Sequence, residues 1–309
     1  AAYEVITIAS IVLVLFGTLL LVAPTAMAVG DSASAGTAPA AWSENLDWME
    51  TNTPEEGAYG SGGNGTLEYY GSYANQEDYD YSEGEYGVMS WWDYGHIITV
   101  QGERIPNANP FQQGAGSAAN FLLAPNETQA NNVLSDIDED DAKTRYVVVD
   151  WKMANTYSRA GGKFFAPPRF YGVSDVSAGD YYRRVQQRVQ NQQQRPRTMN
   201  YRTQAYYESM VIRLYEYHGS AKEPQSASQP FVYVIDWDRA TTRNGRVRQV
   251  SPEDGSGVVK QFQTMEAAQN FTESDGTAQI GGFGAQPGER VPALEHYRYV
   301  GSSETDAYS

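Results

Sequence analysis

The sequence predicts a mixed α/β (α+β) protein. It has one apolar helix at the N-terminus, a helix-and-sheet core and a small β-rich unit at the C-terminal end. Three observations predict this. Residues 5–30 carry no charge and hold an Ile-, Val- and Leu-rich centre at 6–22, long enough for one bilayer-spanning helix. Between residues 42 and 221, helically spaced apolar positions alternate with strand-like runs such as Val147-Val148-Val149. Beyond residue 222, short alternating segments dominate, the mark of strands. The expected divisions are a transmembrane helix over 1–29, a linker over 30–41, the core domain over 42–221 and the β-rich unit over 222–309.

Composition narrows the function classes. The 309 residues include 38 acidic and 22 basic side chains, a formal net charge of −16. Nucleic acid is excluded as the expected partner, because binding phosphates takes clustered Lys and Arg. Acids scattered among Gly, Ser, Thr and Tyr look like the surface of an extreme halophile, where molar salt screens self-repulsion. The rival, an acidic disordered chain, conflicts with 41% hydrophobic and 13% aromatic residues. There is no cysteine, so no disulfide, thiolate metal site or cysteine nucleophile. His96, His218 and His296 are the only histidines and lie far apart in sequence, which disfavours a histidine-rich zinc site.

Taken in order, the apolar N-terminal stretch competes with a signal peptide, since Ala26-Met27-Ala28 resembles a cleavage site. Glu4 and the missing basic n-region favour the membrane helix. The abrupt start suggests a larger protein cut before its last membrane segment. Trp42, Leu46 and Met49 then follow helical spacing, with Ser43 as cap and Pro54 as stop. Residues 55–85 are Gly-, Tyr- and acid-rich without period and predict a surface loop, in which Asp78-Tyr79-Asp80 reads as solvated acids.

Next comes Trp91-Trp92-Asp93-Tyr94-Gly95. Two large rings, a carboxylate and a glycine turn suggest a pocket wall at a strand-to-helix junction. The structural alternative is an aromatic corner with Asp93 as helix cap. A strand leads in through Tyr86, Val88 and Met89, and helices are expected over 94–100, 114–123 and 126–137. The acids at 138–141 lack the glycine spacing of a calcium loop. Residues 145–151 predict a strand buried on both faces, with Asp150 at its carboxyl end, where open α/β sheets place sites. Gly161-Gly162 would bring backbone close to a ligand, without the spacing of a phosphate loop.

Residues 179–194 suggest a polar surface helix. A stronger helix is expected over 201–218, with Tyr207, Met210, Val211 and Leu214 as its stripe and Gly219 as its stop. Strands are expected over 231–237, 246–250, 258–262 and 294–300, and a short helix over 264–271. Asp236-Trp237-Asp238 is too short a string to mark a metal site.

The pentapeptide at 91–95 resembles the signature of oligosaccharyltransferase catalytic subunits, and further stretches resemble the archaeal members, particularly the halophilic ones. Tyr206-Tyr207-Glu208-Ser209-Met210, Arg213-Leu214-Tyr215 and Ala293-Leu294-Glu295-His296-Tyr297-Arg298 add to the likeness. The resemblance covers most of the chain from Trp42 on and loosens towards the C-terminus. It implies transfer of an oligosaccharide from a lipid (dolichyl phosphate) donor to Asn in an acceptor polypeptide bearing Asn-X-Ser/Thr. It also implies a multi-pass protein of the cell membrane, single-pass in this chain, with an extracellular globular domain. In relatives the tryptophans and aspartate hold the Ser or Thr hydroxyl, which gives Trp91, Trp92 and Asp93 the acceptor-binding role, supported by Tyr94 and Gly95.

A second family motif, Asp-x-x-Lys-x-x-x-Met/Ile, is only partly matched. With Lys163 in the lysine place, the apolar place falls on Pro167 and the aspartate place on Ala160. An inserted variant would use Asp150 instead. Lys152 competes with Lys163, but two glycines before Lys163 and two phenylalanines after it resemble the relatives. The bland reading of Lys163 is a solvated loop lysine. The resemblance places the catalytic carboxylates and a divalent cation, Mn or Mg, in the membrane part upstream, with no metal on this chain and no turnover from it alone. The chain also carries three acceptor-type triplets of its own, beginning at Asn64, Asn126 and Asn270; by sequence Asn64, in the expected loop, is the best candidate. A different class of function, a membrane-tethered halophilic surface protein with a structural or ligand-binding role, would share the helix and the acidic surface. It has no reason to carry the pentapeptide on a pocket wall.

Overall fold

A computed structural model describes residues 40–55, 86–138, 143–172, 175–187, 197–224, 232–236, 240–243, 246–249 and 259–304. The expected membrane helix, most of the linker, the 55–85 loop beyond Glu55, the acids at 139–141 and Trp237-Asp238 lie outside these residues. Among the described residues no helix is long and apolar enough to cross a membrane.

The chain divides into two compact units, residues 1–53 with 302–309, and residues 54–301. In the first, helix α1 (Ala40–Asn52) buries Trp42, Leu46 and Met49, as their spacing predicts. It begins earlier than expected, so Ser43 lies inside it rather than at its cap. At its end the Thr53 hydroxyl donates to Met49 O over 2.7 Å.

The second unit is built on two sheets. The smaller has the order β2-β1-β3, with β1 (Tyr86–Met89) central and β2 (Ile105–Pro106) and β3 (Lys143–Val147) both parallel to it. Parallel neighbours need crossovers. Helix α2 (Gly95–Val100) makes the first, and α3 (Ala115–Leu123) with α4 (Glu127–Ile137) the second. The start of α4 is fixed by Asn126, whose side-chain oxygen accepts from Gln129 N at 2.9 Å. All of β1 is buried, while β3, an edge strand, is only partly covered. The expectation of a doubly buried strand over 145–151 is corrected on two counts. The strand begins at Lys143 and ends at Val147, and Asp150 caps a short helix, α5 (Trp151–Ala154), by accepting from Met153 N at 2.8 Å.

The larger sheet has seven strands in the order β7-β8-β4-β5-β10-β6-β9. They are β4 (Tyr182–Gln187), β5 (Arg197–Arg202), β6 (Val232–Asp236), β7 (Ala240–Arg243), β8 (Arg246–Gln249), β9 (Val259–Phe262) and β10 (Ala278–Phe283). All pairings are antiparallel except β4 with β8. Val185, Tyr201 and Ile235 form a core cluster on this sheet, covered by Tyr233 and Val259. Strands from both sides of residue 222 thus share one sheet, which runs across the expected domain division.

Four further expectations are corrected. The polar helix expected over 179–194 is, as far as Gln187, a single turn, α6 (Ala178–Tyr181), followed by β4; residues 188–194 lie outside the described residues. The long helix over 201–218 is the end of β5 and two short helices, α7 (Gln204–Glu208) and α8 (Met210–Tyr215). Ser209 parts them with an extended backbone (φ −60°, ψ 140°), its hydroxyl donating back to Tyr206 O over 2.6 Å. No strand forms over 294–300, because its amides go elsewhere: Leu294 N to Gly219 O, and those of Glu295 and His296 to the Glu127 carboxylate at 2.8 and 2.6 Å. Burial of Glu127 opposes ionisation, yet these two N–H groups outweigh it and hold the carboxyl below its usual range. The helix expected over 264–271 is longer, α9 (Met265–Asp275), and is capped by Thr264.

Candidate functional site

The site starts where β1 ends. Ser90 donates to Val148 O over 2.8 Å and ties this end to the chain leaving β3. Trp91 then precedes a 3-10 turn over Trp92–Tyr94 that runs straight into α2. Asp93 lies inside that turn and caps neither helix, so the capping alternative fails. Gly95 fits its place for lack of space, its backbone being ordinary helix (φ −55°). A Cβ there would lie 2.2 Å from Ala108 O and 2.8 Å from Asn109 Cα.

Trp91 is buried and Trp92 partly so, with ring centroids 6.0 Å apart. Phe170 stands against both, at 5.5 Å from Trp91 and 6.3 Å from Trp92. Nothing in the linear pattern marked Phe170 for this wall. It follows the 3-10 turn Pro167–Arg169, and its amide donates to Pro167 O. Pro167 is buried and sits at the first turn position, where its missing N–H costs nothing. The indole Nε1 of Trp92 is buried without a hydrogen-bond partner among the described residues. A buried donor left so is costly unless something else accepts from it.

Lys163 comes to Asp93. Its ammonium is bonded to Asp93 Oδ2 and lies 4.8 Å from the centroid of the Tyr94 ring. Both side chains keep partial access to solvent, 31% for Lys163 and 23% for Asp93. No other hydrogen bond to Asp93 forms among the described residues. Lys152 instead lies over the Trp151 ring, at 6.0 Å. Lys152 is helical, within the single turn of α5.

Two anchors hold Lys163 in place. Its amide donates to Lys152 O at 2.6 Å, so the loop returns to α5. Next to it, fully buried Phe164 packs among Tyr181, Tyr182 and Tyr206, with centroids at 5.4, 6.3 and 5.0 Å. Of the two glycines before it, Gly161 takes a left-handed conformation (φ +82°) and Gly162 admits the Asn155 carbonyl, which a Cβ would meet at 2.2 Å. Both serve the loop's own turn.

Asp150 meets the motif through Tyr94 rather than Lys163: the phenol donates to Asp150 Oδ2 over 2.7 Å. Burial pushes the phenol well above its usual range, and the Asp150 charge adds to this, so it stays a donor. One carboxylate thus joins the pentapeptide to α5, from which the Lys163 loop hangs. Tyr94→Phe is expected to lower stability by about 1–2 kcal/mol, the net worth of a hydrogen bond to a charged group discounted for partial exposure. Chemical denaturation at high salt checks this, and an unshifted midpoint would show the link to be idle.

The arrangement offers a charged acceptor, an unused indole donor and an aromatic wall, a set suited to a small alcohol. The described residues include no group of three or more His, Asp or Glu able to hold a metal ion.

The AglB core domain model matches residues 39–154. The dolichyl-monophosphooligosaccharide–protein glycotransferase AglB of Haloferax volcanii is 48% identical over 272 residues, covering 86% of this chain and 25% of that protein. Dolichyl-phosphooligosaccharide–protein glycotransferase 3 of Archaeoglobus fulgidus is 35% identical over 152 residues, 45% of this chain and 15% of that protein. An apo crystal structure of the Archaeoglobus fulgidus oligosaccharyltransferase aligns at 28% identity and a TM-score of 0.44, over 65% of this chain and 23% of that one. The chain therefore spans about a quarter, or less, of the length of these relatives. On the matched core and the identity to the Haloferax enzyme, the chain belongs to the AglB family of archaeal oligosaccharyltransferases.

Proposed function

We propose that this chain is the acceptor-recognition part of a membrane oligosaccharyltransferase that moves a lipid-linked oligosaccharide onto Asn in Asn-X-Ser/Thr. The observation that carries the reading is the unpartnered Trp92 Nε1 next in sequence to the Asp93–Lys163 pair. A Ser or Thr hydroxyl both donates and accepts. It would donate to Asp93 and accept from the indole, satisfying the orphan donor. Lys163 occupies Asp93 Oδ2 and leaves Oδ1 for the hydroxyl. The aromatic wall of Trp91, Trp92 and Phe170 offers cover for the Thr methyl. Alanine in that place would leave Asp93 Oδ1 and the indole N–H without partners, which is how polar sites reject analogues.

In this reading Trp91, Trp92, Asp93 and Lys163 bind the acceptor. Tyr94, Gly95, Asp150 and Pro167 hold them in place. Bond making belongs to the part of the complete enzyme outside this chain, with its divalent cation, the membrane and the dolichyl-phosphate donor. The net charge of −16 fits work at molar salt outside the cell.

The test compares peptides differing only at the hydroxyl position, using the full-length enzyme in molar salt. Thr and Ser peptides should be glycosylated and the Ala peptide at least tenfold less. Lys163→Met should weaken transfer to the Thr peptide roughly three- to tenfold, as expected for a pair that is partly exposed. A Lys163→Met enzyme with wild-type transfer would remove Lys163 from the site.

A further inference from the structure

We infer that Asn126 of this chain is itself a glycan attachment site, with an oligosaccharide on its side-chain nitrogen, and that Asn270 is not. The inference rests on the preceding reading in one respect: a triplet is an acceptor only if its third-residue hydroxyl is free to be read.

Two of the three triplets lie among the described residues, and they differ at each position. Asn126 is exposed and sits ahead of α4 with an extended backbone (φ −153°, ψ 164°). Its Oδ1 takes the Gln129 amide, while its Nδ2 makes no hydrogen bond among the described residues. The Thr128 hydroxyl is likewise exposed and unengaged. Presenting this triplet in an acceptor groove requires undoing one turn at a helix end, where opening is least costly, and releasing the Glu295 and His296 amides from Glu127 until the chain refolds.

Asn270 is held the opposite way. It lies in the middle of α9. Its Phe271 packs against Phe262, with centroids 5.4 Å apart, and beneath the Lys260 ammonium at 3.9 Å. The Thr272 hydroxyl is already donated to Gln269 O over 2.8 Å. Using this triplet means breaking a helix at its centre and freeing that hydroxyl.

The transfer leaves the fold intact. Nδ2 bonds to the anomeric carbon of a lipid-phosphate-linked oligosaccharide and gives up one proton. The anomeric carbon–oxygen bond breaks, and its electron pair leaves on the lipid phosphate. Oδ1 is not consumed, so the cap on α4 survives, as does the Glu127 clamp on Glu295 and His296.

The experiment is glycopeptide mass spectrometry on the full-length protein. It is made in a high-salt archaeal host in which a secreted reporter triplet is shown to be glycosylated. The Asn126 peptide should carry a sugar adduct on most copies, and the Asn270 peptide none. Thr128→Ala should lower occupancy at least tenfold, and Thr128→Ser should restore it. Asn126→Asp, which keeps a capping oxygen and removes the nucleophile, should abolish the adduct without unfolding the protein. An unmodified Asn126 peptide, an adduct that survives Thr128→Ala, or equal occupancy at Asn270 would overturn the inference. A normal Asn126 adduct in cells where the full-length Asp93→Ala enzyme transfers at the wild-type rate would support it while overturning the role given to Asp93.

Discussion

Asp93→Ala in the full-length enzyme is expected to lower glycan transfer to a Thr-containing peptide at least tenfold, with the fold retained. A hydrogen bond to a charged group contributes about 1.5–3 kcal/mol, and each ~1.4 kcal/mol is a factor of ten in rate. The loss falls on recognition rather than on folding. The Asp93–Lys163 pair keeps partial solvent access, and such pairs add little stability. The Trp91–Phe170 contact does not depend on the carboxylate. Transfer to Thr, Ser and Ala peptides at molar salt is the measurement, with the near-ultraviolet circular dichroism of the variant as the check on folding. Wild-type transfer to the Thr peptide would end the proposed role. Asp93→Asn separates charge from shape: it keeps an acceptor oxygen but loses the ionic bond to Lys163, so its loss should be smaller.

Gly95→Ala is expected to be the most disruptive small substitution in the site segment. Alanine normally favours a helix over glycine by about 1 kcal/mol, and the backbone of Gly95 is helical. Propensity therefore predicts a gain. Space predicts the reverse, since the new methyl would sit 2.2 Å from the Ala108 carbonyl oxygen, on backbone that cannot swing away as a side chain would. Overpacking of this kind costs about 1–3 kcal/mol and would push α2 off the 105–110 segment. The midpoint of denaturation should fall accordingly in molar salt. Gly301→Ala, with nothing within 4 Å of the added carbon, serves as the neutral control. Equal midpoints for the two variants would show that the packing against Ala108 is soft.

The site segment was legible because its cues are local. A strand, a turn and a helix follow one another within residues 86–100, and each leaves its pattern in the sequence. The larger sheet was less legible, because its strands are held by partners distant in sequence. In β5, Arg-Thr-Met-Asn-Tyr-Arg has no strong alternation, and its pairing with β4 decides its state. In β10, Gly281 and Gly282 argue against a strand by propensity. Yet Gly281 lies against Ile235, where a Cβ would come within 2.5 Å, and Gly282 has φ +151° beside the Arg202 backbone. Those glycines let β10 press between β5 and β6 through an irregular register. Of the apolar stripe Tyr207, Met210, Val211 and Leu214, the first three are buried and Leu214 partly so; the stripe was misleading as one helix, since Ser209 breaks it. Phe170 escaped notice because Arg169-Phe170-Tyr171, after two prolines, carries no periodic signal.

The return of the Lys163 loop to α5 bears on how relatives of this chain are found. Lys163 N is bonded to Lys152 O, and Phe164 N to Asn155 O, so the residues between form an excursion whose two ends meet. Its ends stay together although the spacing between aspartate and lysine is longer than the motif's. A search pattern that fixes the number of residues between aspartate and lysine would discard this chain, although its lysine stands on Asp93. A pattern anchored on the ends, with a free gap and the aromatic after the lysine, would keep it.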